Sequence, residues 1–169
     1  STGANTRFVF RFWREAAGRL ATITTADVFS CAQIVAHTLR TNADGTRHDY
    51  AVVRLDRSAA PRFTPARIAR DNGPSRVGQS ITVIGFGSGV PAKIDSGGAV
   101  FDLRADTRDY FMANTDTFGG NSGSGVFDTA TRDLIGLLVR GATDYVPADG
   151  GACNVVHVCA STPGGDECG

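Results

Sequence analysis

The stretch Phe118 to Asp128 reads FGGNSGSGVFD, four glycines around two serines, closed by an apolar pair. Each glycine costs backbone entropy and gives up a side chain that could pack, so a cluster of them marks a tight turn or a close approach of backbone. One reading is a hairpin turn. The other is a serine that must stand clear while neighbouring N–H groups gather around a developing negative oxygen. The flanking segments DYFMAN (109–114) and SGVF (124–127) have strand length and strand composition, so in either reading the stretch is a loop between two strands.

The pattern repeats outward from that loop. SITVIGF (80–86), AKI (92–94), AVFDL (99–103), DLIGLLV (133–139) and NVVHV (154–158) are apolar, β-branched runs separated by glycine-containing turns. Upstream, RFVFRFW (7–13) and LATITT (20–25) have the same character. VFSCAQIVAHTL (28–39) faces DYAVVRL (49–55) across TNADGTRH, whose Asp44-Gly45 dipeptide is a strong hairpin signal. Long stripes of period 3.6 are absent, which predicts a mostly β fold. Residues 56–78 shift to Pro61, Pro65, Pro74 and several arginines with little periodicity. The chain therefore divides into residues 1–60, a linker at 61–78, and a second β-rich half at 79–169.

Charge and composition exclude several classes. Lys+Arg and Asp+Glu both number 17 in 169 residues, so no basic footprint points to nucleic acid or to an anionic membrane surface. No apolar run approaches the roughly 20 residues of a membrane helix. The opening STGANTRFVF has neither a start methionine nor a leader, which gives the expectation of a processed chain. Cys31, Cys153, Cys159 and Cys168 form no CxxC pair, so no metal site is expected, and their even number suits an oxidising compartment: we expect a secreted protein. Three connectivities are open. If all four cysteines pair within the chain, Cys31 reaches the C-terminal tail. Otherwise it pairs with a cysteine outside these residues.

Two motifs carry a resemblance. GGNSGS with its apolar pair, and DYAVVRL with an acidic residue leading an alternating run, resemble the nucleophile loop and the aspartate strand of trypsin-like, chymotrypsin-fold serine peptidases. The likeness is strongest to the secreted bacterial branch that includes the glutamyl endopeptidases. Asp49 precedes Ser122 by 73 residues, in the family's order. The resemblance covers Arg7 to Val158 and implies an all-β fold of two Greek-key barrels with the site in the cleft between them. It implies Ser122 as nucleophile, Asp49 as the carboxylate that orients the base, and the N–H groups of Gly120 and Ser122 as oxyanion hole. The substrate it implies is a protein or peptide, with no cofactor. Asp116, six residues before Ser122, stands where trypsin-like members keep the acid that binds an Arg or Lys side chain; its bland reading is an aspartate capping its own loop. GLLVRGATD (136–144) resembles the strand that lines the pocket and pairs with substrate backbone, ending at Gly141. Glutamyl-specific relatives tend to offer a histidine there, where this chain has Val139 and Arg140, and Arg140 leaves glutamyl specificity open. Asn121 replaces the aspartate of animal trypsins, which argues against activation through a freed N-terminus.

The departure from the family is the base. No segment reads like TAGHC or TAAHC, and only His37, His48 and His157 exist. His48 neighbours Asp49, and adjacent strand residues point to opposite faces. His157 belongs to the tail. His37 comes near Asp49 to Ala51 across the hairpin, but on the aspartate's own hairpin rather than on the facing side. About four strands precede the linker and about six follow it. We therefore expect a first barrel lacking its N-terminal strands in this chain, completed by an N-terminal segment of the same precursor, cut before Ser1, that carries the triad histidine. The rivals are a pseudopeptidase that keeps the fold as a binding module, and a structural β domain with a glycine loop.

Overall fold

The computed structural model describes residues 5–70, 75–107 and 109–158. Its strands are β1 (Arg7–Val9), β2 (Arg14–Ala16), β3 (Arg19–Leu20), β4 (Val28–Thr41), β5 (Arg47–Leu55), β6 (Ser80–Gly85), β7 (Lys93–Asp102), β8 (Met112–Asn114), β9 (Gly125–Asp128), β10 (Leu134–Leu137), β11 (Tyr145–Pro147) and β12 (Asn154–Val156). Helix is confined, among the described residues, to short 3-10 turns such as Thr25–Asp27. The fold is all-β, as the sequence predicts.

The larger sheet has the order β10-β9-β6-β7-β8. Strands β6, β7 and β8 follow one another, and β9 then returns to lie beside β6, which is the Greek-key order of four antiparallel strands. Period-2 alternation in SITVIG aims Ile81 and Val83 inward, and with Val100 and Val126 they make a core in which Ile81 is 1% exposed. Leu103, Phe111, Ala113, Ile135 and Leu138 pack around it. AKI and AVFDL turn out to be one strand, β7, carried through Gly98; a Cβ there would overlap the Asn114 carbonyl of β8. That backbone approach is why a glycine that reads as a break lies inside a strand.

The smaller sheet, β1-β4-β5, is built on the hairpin that the Asp44-Gly45 signal predicts, with Gly45 at φ +80°. Its base is well packed. The rings of Phe10 and Phe29 meet edge-on at 4.8 Å and those of Phe10 and Phe63 at 4.7 Å. The Arg57 guanidinium lies 4.1 Å over Phe29 and donates to the carbonyls of Thr25, Ala26 and Val28. Asp27, fully buried here, accepts from the Thr24 N–H and hydroxyl and pairs with Arg62 at 2.6 Å. The Thr24 N–H above all, helped by Arg62 and the Thr24 hydroxyl, outweighs desolvation and holds the carboxyl at about 2. The other end of the hairpin is bare: Ile34, Val35, Leu39, Tyr50 and Val52 are exposed, Leu39 by 80%.

RFVFRFW is not the single strand that its alternation suggests. β1 ends at Val9, and Arg11 adopts φ +65°. The break sends Phe10 into the base of the small sheet and Phe12 onto Phe86 of the second half, ring centroids 6.1 Å apart. LATITT likewise yields only the short β3. The two halves meet at three further places. The Ala92 N–H donates to Phe12 O at 2.8 Å. The end of the proline-rich segment bridges Ile68 to Leu134. The Arg47 N–H at the hairpin tip donates to Asp109 Oδ2 at 2.7 Å. Asp109 is held ready by Thr107 Oγ1 and Arg104, and these donors keep its carboxyl well below the usual range, the Thr107 hydroxyl foremost.

Candidate active site

The glycine loop is the Greek-key return itself, the connection from β8 to β9. It is a chain of tight turns: Asn121 N–H donates to Phe118 O at 3.1 Å and Ser124 N–H to Asn121 O at 2.8 Å. Gly120 and Gly123 take φ of +96° and +87°, the left-handed region that a side chain disfavours. The loop is tied outward as well. Gly119 N–H donates to Asp144 Oδ2 at 2.6 Å, Gly119 O accepts from Ser88 N–H at 2.6 Å, and Gly123 N–H donates to Leu138 O at 2.7 Å. The amides of 119, 121, 123 and 124 are thus occupied, whereas those of Gly120 and Ser122 meet no acceptor among the described residues. An amide left open in a loop this fully bonded is available to a ligand oxygen.

Asn121, assigned no chemistry from sequence beyond replacing an aspartate, is the brace of the loop. It is buried, its amide donates to Phe118 O at 3.0 Å, and its Oδ1 accepts from the Ser124 hydroxyl at 3.2 Å. It lies against the backbone after β6. A Cβ on Gly85 would overlap Asn121 Oδ1 and Ser124 Oγ, and one on Gly87 would come within 2.5 Å of Asn121 Nδ2. The glycines of IGFGSG were the available signal, since glycine where a strand ends often marks a close neighbour. Asp144, which takes the Gly119 amide, also escaped the sequence reading. Beside it, Phe118 packs on Tyr145 at 5.6 Å, and Tyr145 Oη bonds Ser88 Oγ at 2.9 Å.

Ser122 is exposed, with its Oγ donating at 3.3 Å to the carbonyl of Val139, just past β10. Asp49 sits on the bare arm of the hairpin, opposite Leu39 in the register and exposed. His37 pairs with Ala51, which puts it on the same face as Asp49, one diagonal step away. His48 pairs with Arg40 and faces the other side. Neither His37 nor His48 hydrogen-bonds Asp49 or Ser122 among the described residues. His157 follows β12, with Nδ1 3.1 Å from Thr143 O and its N–H on Asp144 O. Asp116 is exposed in the same connection as Ser122, its N–H donating to Asp95 Oδ2 at 2.9 Å. Gly141 is exposed just beyond Arg140. Among the described residues Cys31 and Cys153 form no disulfide; Cys159 and Cys168 lie outside the described residues.

The arrangement presents an exposed hydroxyl beside two open backbone donors on a loop braced from beneath, which suits attack on a carbonyl and stabilisation of the oxyanion. The sequence matches the family model of a trypsin-like peptidase domain over residues 13–137, a span that contains Asp49, Asp116, Gly120 and Ser122. No curated protein and no solved structure matches the chain. The matched span is well over half of the chain and carries both the hairpin and the Greek-key return, so the protein belongs to the trypsin-like peptidase family, with an all-β, chymotrypsin-like fold.

Proposed function

We propose that this serine peptidase is a secreted endopeptidase in which Ser122 attacks the scissile carbonyl and the Gly120 and Ser122 amides receive the oxyanion. The observation that carries this reading is the selective openness of those two amides in a loop whose other amides are bonded. Ser122 Oγ gives its proton to a histidine and forms an ester with the acyl group. The same histidine then protonates the leaving amine, and water hydrolyses the ester. Asp49 orients that histidine. A segment from upstream in the same precursor supplies it and pairs with the bare arm of the hairpin, whose exposed Val35, Leu39, Tyr50 and Val52 await cover.

The test is to prepare residues 1–169 alone and together with the upstream segment, then follow fluorophosphonate labelling of Ser122 and peptide hydrolysis. The pair is expected to label and cleave, the lone chain to do neither. Ser122→Ala in the active pair should lower kcat by at least about four orders of magnitude. A lone chain that is fully active and dies with His37→Ala would instead make His37 the base, a reading that its place on the face of Asp49 favours. A pair that never labels would favour the pseudopeptidase, for which the Ser122 hydroxyl resting on a carbonyl rather than on a histidine speaks.

For specificity we propose cleavage after Arg or Lys. Asp116 supports it, being exposed six residues before the nucleophile with no cation paired to it among the described residues. Asp116→Ser is expected to reduce kcat/KM on basic substrates about a hundredfold. A preference for Glu at the cleaved bond would remove Asp116 from the pocket.

A further inference from the structure

A cavity of about 180 Å³ opens between the tip of the β4–β5 hairpin and Arg140, in the segment that follows β10. Its walls are Leu39, Arg40, Thr41, Arg47, His48 and Arg140. The lining therefore carries three arginines and a histidine and no carboxylate, in a chain whose 17 basic and 17 acidic residues balance; by the strand register Arg47 stands on the face of Leu39 and Thr41, and Arg40 and His48 on the opposite one. The six ion pairs of the described residues use Arg11, Arg19, Arg57, Arg62, Arg67 and Arg104, and none uses Arg40, Arg47 or Arg140. Of the acids around it, Asp109 takes the Arg47 backbone N–H, the Thr107 hydroxyl and Arg104, Asp44 takes the Thr46 N–H and hydroxyl, and Asp49, opposite Leu39, is the carboxylate that the proposed mechanism gives to the histidine. Asp109 thus fixes the tip in place without neutralising the cavity. Outside the lining, the Tyr110 ring lies under the guanidinium groups of Arg104, at 4.4 Å, and Arg140, at 6.0 Å.

The position gives the charge a use. Arg140 is next in the chain to Val139, whose carbonyl holds the Ser122 hydroxyl. Consecutive residues of an extended chain are about 3.8 Å apart, so a peptide held at Ser122 and running along 138–140 brings a neighbouring side chain to the cavity within a few residues. Guanidinium groups bind carboxylates through paired N–H donors, and the pairing is strongest where several converge. We infer that this cavity is a subsite for a carboxylate on the substrate, an Asp or Glu close to the cleaved bond but distinct from the residue that Asp116 would receive. The inference rests on the endopeptidase reading for its peptide, not for its chemistry.

The test separates the two. In the full protein carrying Ser122→Ala, with the upstream segment where assembly needs it, hexapeptides containing one Arg and a single Glu moved through the other positions are compared by calorimetry with their Gln counterparts. Glu at one position should bind about tenfold more tightly than Gln, and added salt should erode the difference. Arg47→Gln with Arg140→Gln should bring the ratio to about one, while the corresponding Lys pair should keep part of it. Unchanged thermal unfolding of each variant shows that the fold is intact. A ratio of one at every position overturns the subsite, as does a ratio that survives the double Gln variant. Inorganic phosphate that binds as tightly as the Glu peptide, through the same arginines, also overturns it in favour of a free-anion site. Fluorophosphonate labelling of the unsubstituted protein reports independently on the enzyme: its failure beside a retained Glu preference sinks the peptidase reading alone, and its success beside a ratio of one sinks only the subsite.

Discussion

The two sheets are made from similar sequence, apolar and β-branched runs, yet they are finished differently. The β10-β9-β6-β7-β8 sheet closes its inner face over Ile81, Val83, Val100 and Val126. The β1-β4-β5 sheet is packed only at its base, around Phe10, Phe29 and Phe63, and its hairpin extends beyond that base with apolar residues on both faces. Strand-forming residues make strands in both places. What differs is how many neighbours are present to cover them, and the two catalytic candidates fall on opposite sides of that divide: Ser122 on the covered sheet's connection, Asp49 on the bare arm.

The contrast is sharpened most by cutting equal amounts from each side. Ile81→Ala should cost about 2–5 kcal/mol by urea denaturation. Leu39→Ala should change the stability of the chain by under about 0.5 kcal/mol. With the upstream segment bound, the Leu39 substitution should become costly, and a Leu39→Ala that is severe in the lone chain would mean that the arm is already buried.

Next in size is the contact that braces the nucleophile loop from the covered sheet. Gly85→Ala forces a methyl into Asn121 and Ser124, with an expected cost of about 1–3 kcal/mol together with loss of fluorophosphonate labelling. Full labelling in a Gly85→Ala protein would show that the loop keeps its shape without that contact.

Acid should open the two halves differently. The Asp27 carboxyl sits at about 2 in the folded chain against 3.8 for the free group, so its contribution is complete above 3.8 and is lost as pH falls towards 2. Trp13, just before β2 and three residues after Phe10 of the base, with its carbonyl on the Ala21 N–H, is the chain's one tryptophan and is the fluorescence probe for the change. Asp27→Asn should destabilise the chain at neutral pH and flatten the Trp13 transition between those limits. A transition unchanged by Asp27→Asn would assign acid sensitivity to other carboxylates, such as Asp128, whose carboxyl is lowered chiefly by the Thr131 N–H and then by Gln79.

The smallest effect concerns the Arg47–Asp109 hydrogen bond that latches the hairpin tip to the second half. Asp109→Asn should speed amide exchange at Arg47 by about tenfold while leaving that at Val83 unaltered. Equal changes at both would mean that Asp109 supports the whole fold rather than the tip.

Local signals made much of this legible. Asp44-Gly45 between alternating runs gives the hairpin, and Gly45 does adopt the positive φ that such a turn needs. The glycine loop announces itself because its conformation depends on backbone more than on neighbours. Features that depend on distant partners were not legible. The aromatic alternation of RFVFRFW is the same whether its rings share one core or divide between two, and here Phe10 and Phe12 divide. Asp27 pairs with Arg62 across 35 residues, and no local pattern distinguishes it from a surface aspartate. The brace made by Asn121 and the Gly119 amide bond to Asp144 are likewise tertiary facts. At the site, the sequence pointed to the serine and its open amides but carried no segment like the family's histidine motif, and the three histidines lie on the hairpin and after β12.

The alternation of bonded and open amides along residues 119 to 123 sets a rule about length rather than composition. From 119 to 123 the odd-numbered amides are spent on holding the loop and the even-numbered ones are left over, with 124 bonded again, so inserting or deleting a single residue just before Ser122 puts the hydroxyl out of step with the open donors. The serine would then carry a structural amide and its neighbour a spare one. Among variants of this loop, side-chain exchanges that respect the two positive-φ glycines are expected to be tolerated far better than any change of frame, because what the connection stores is a count.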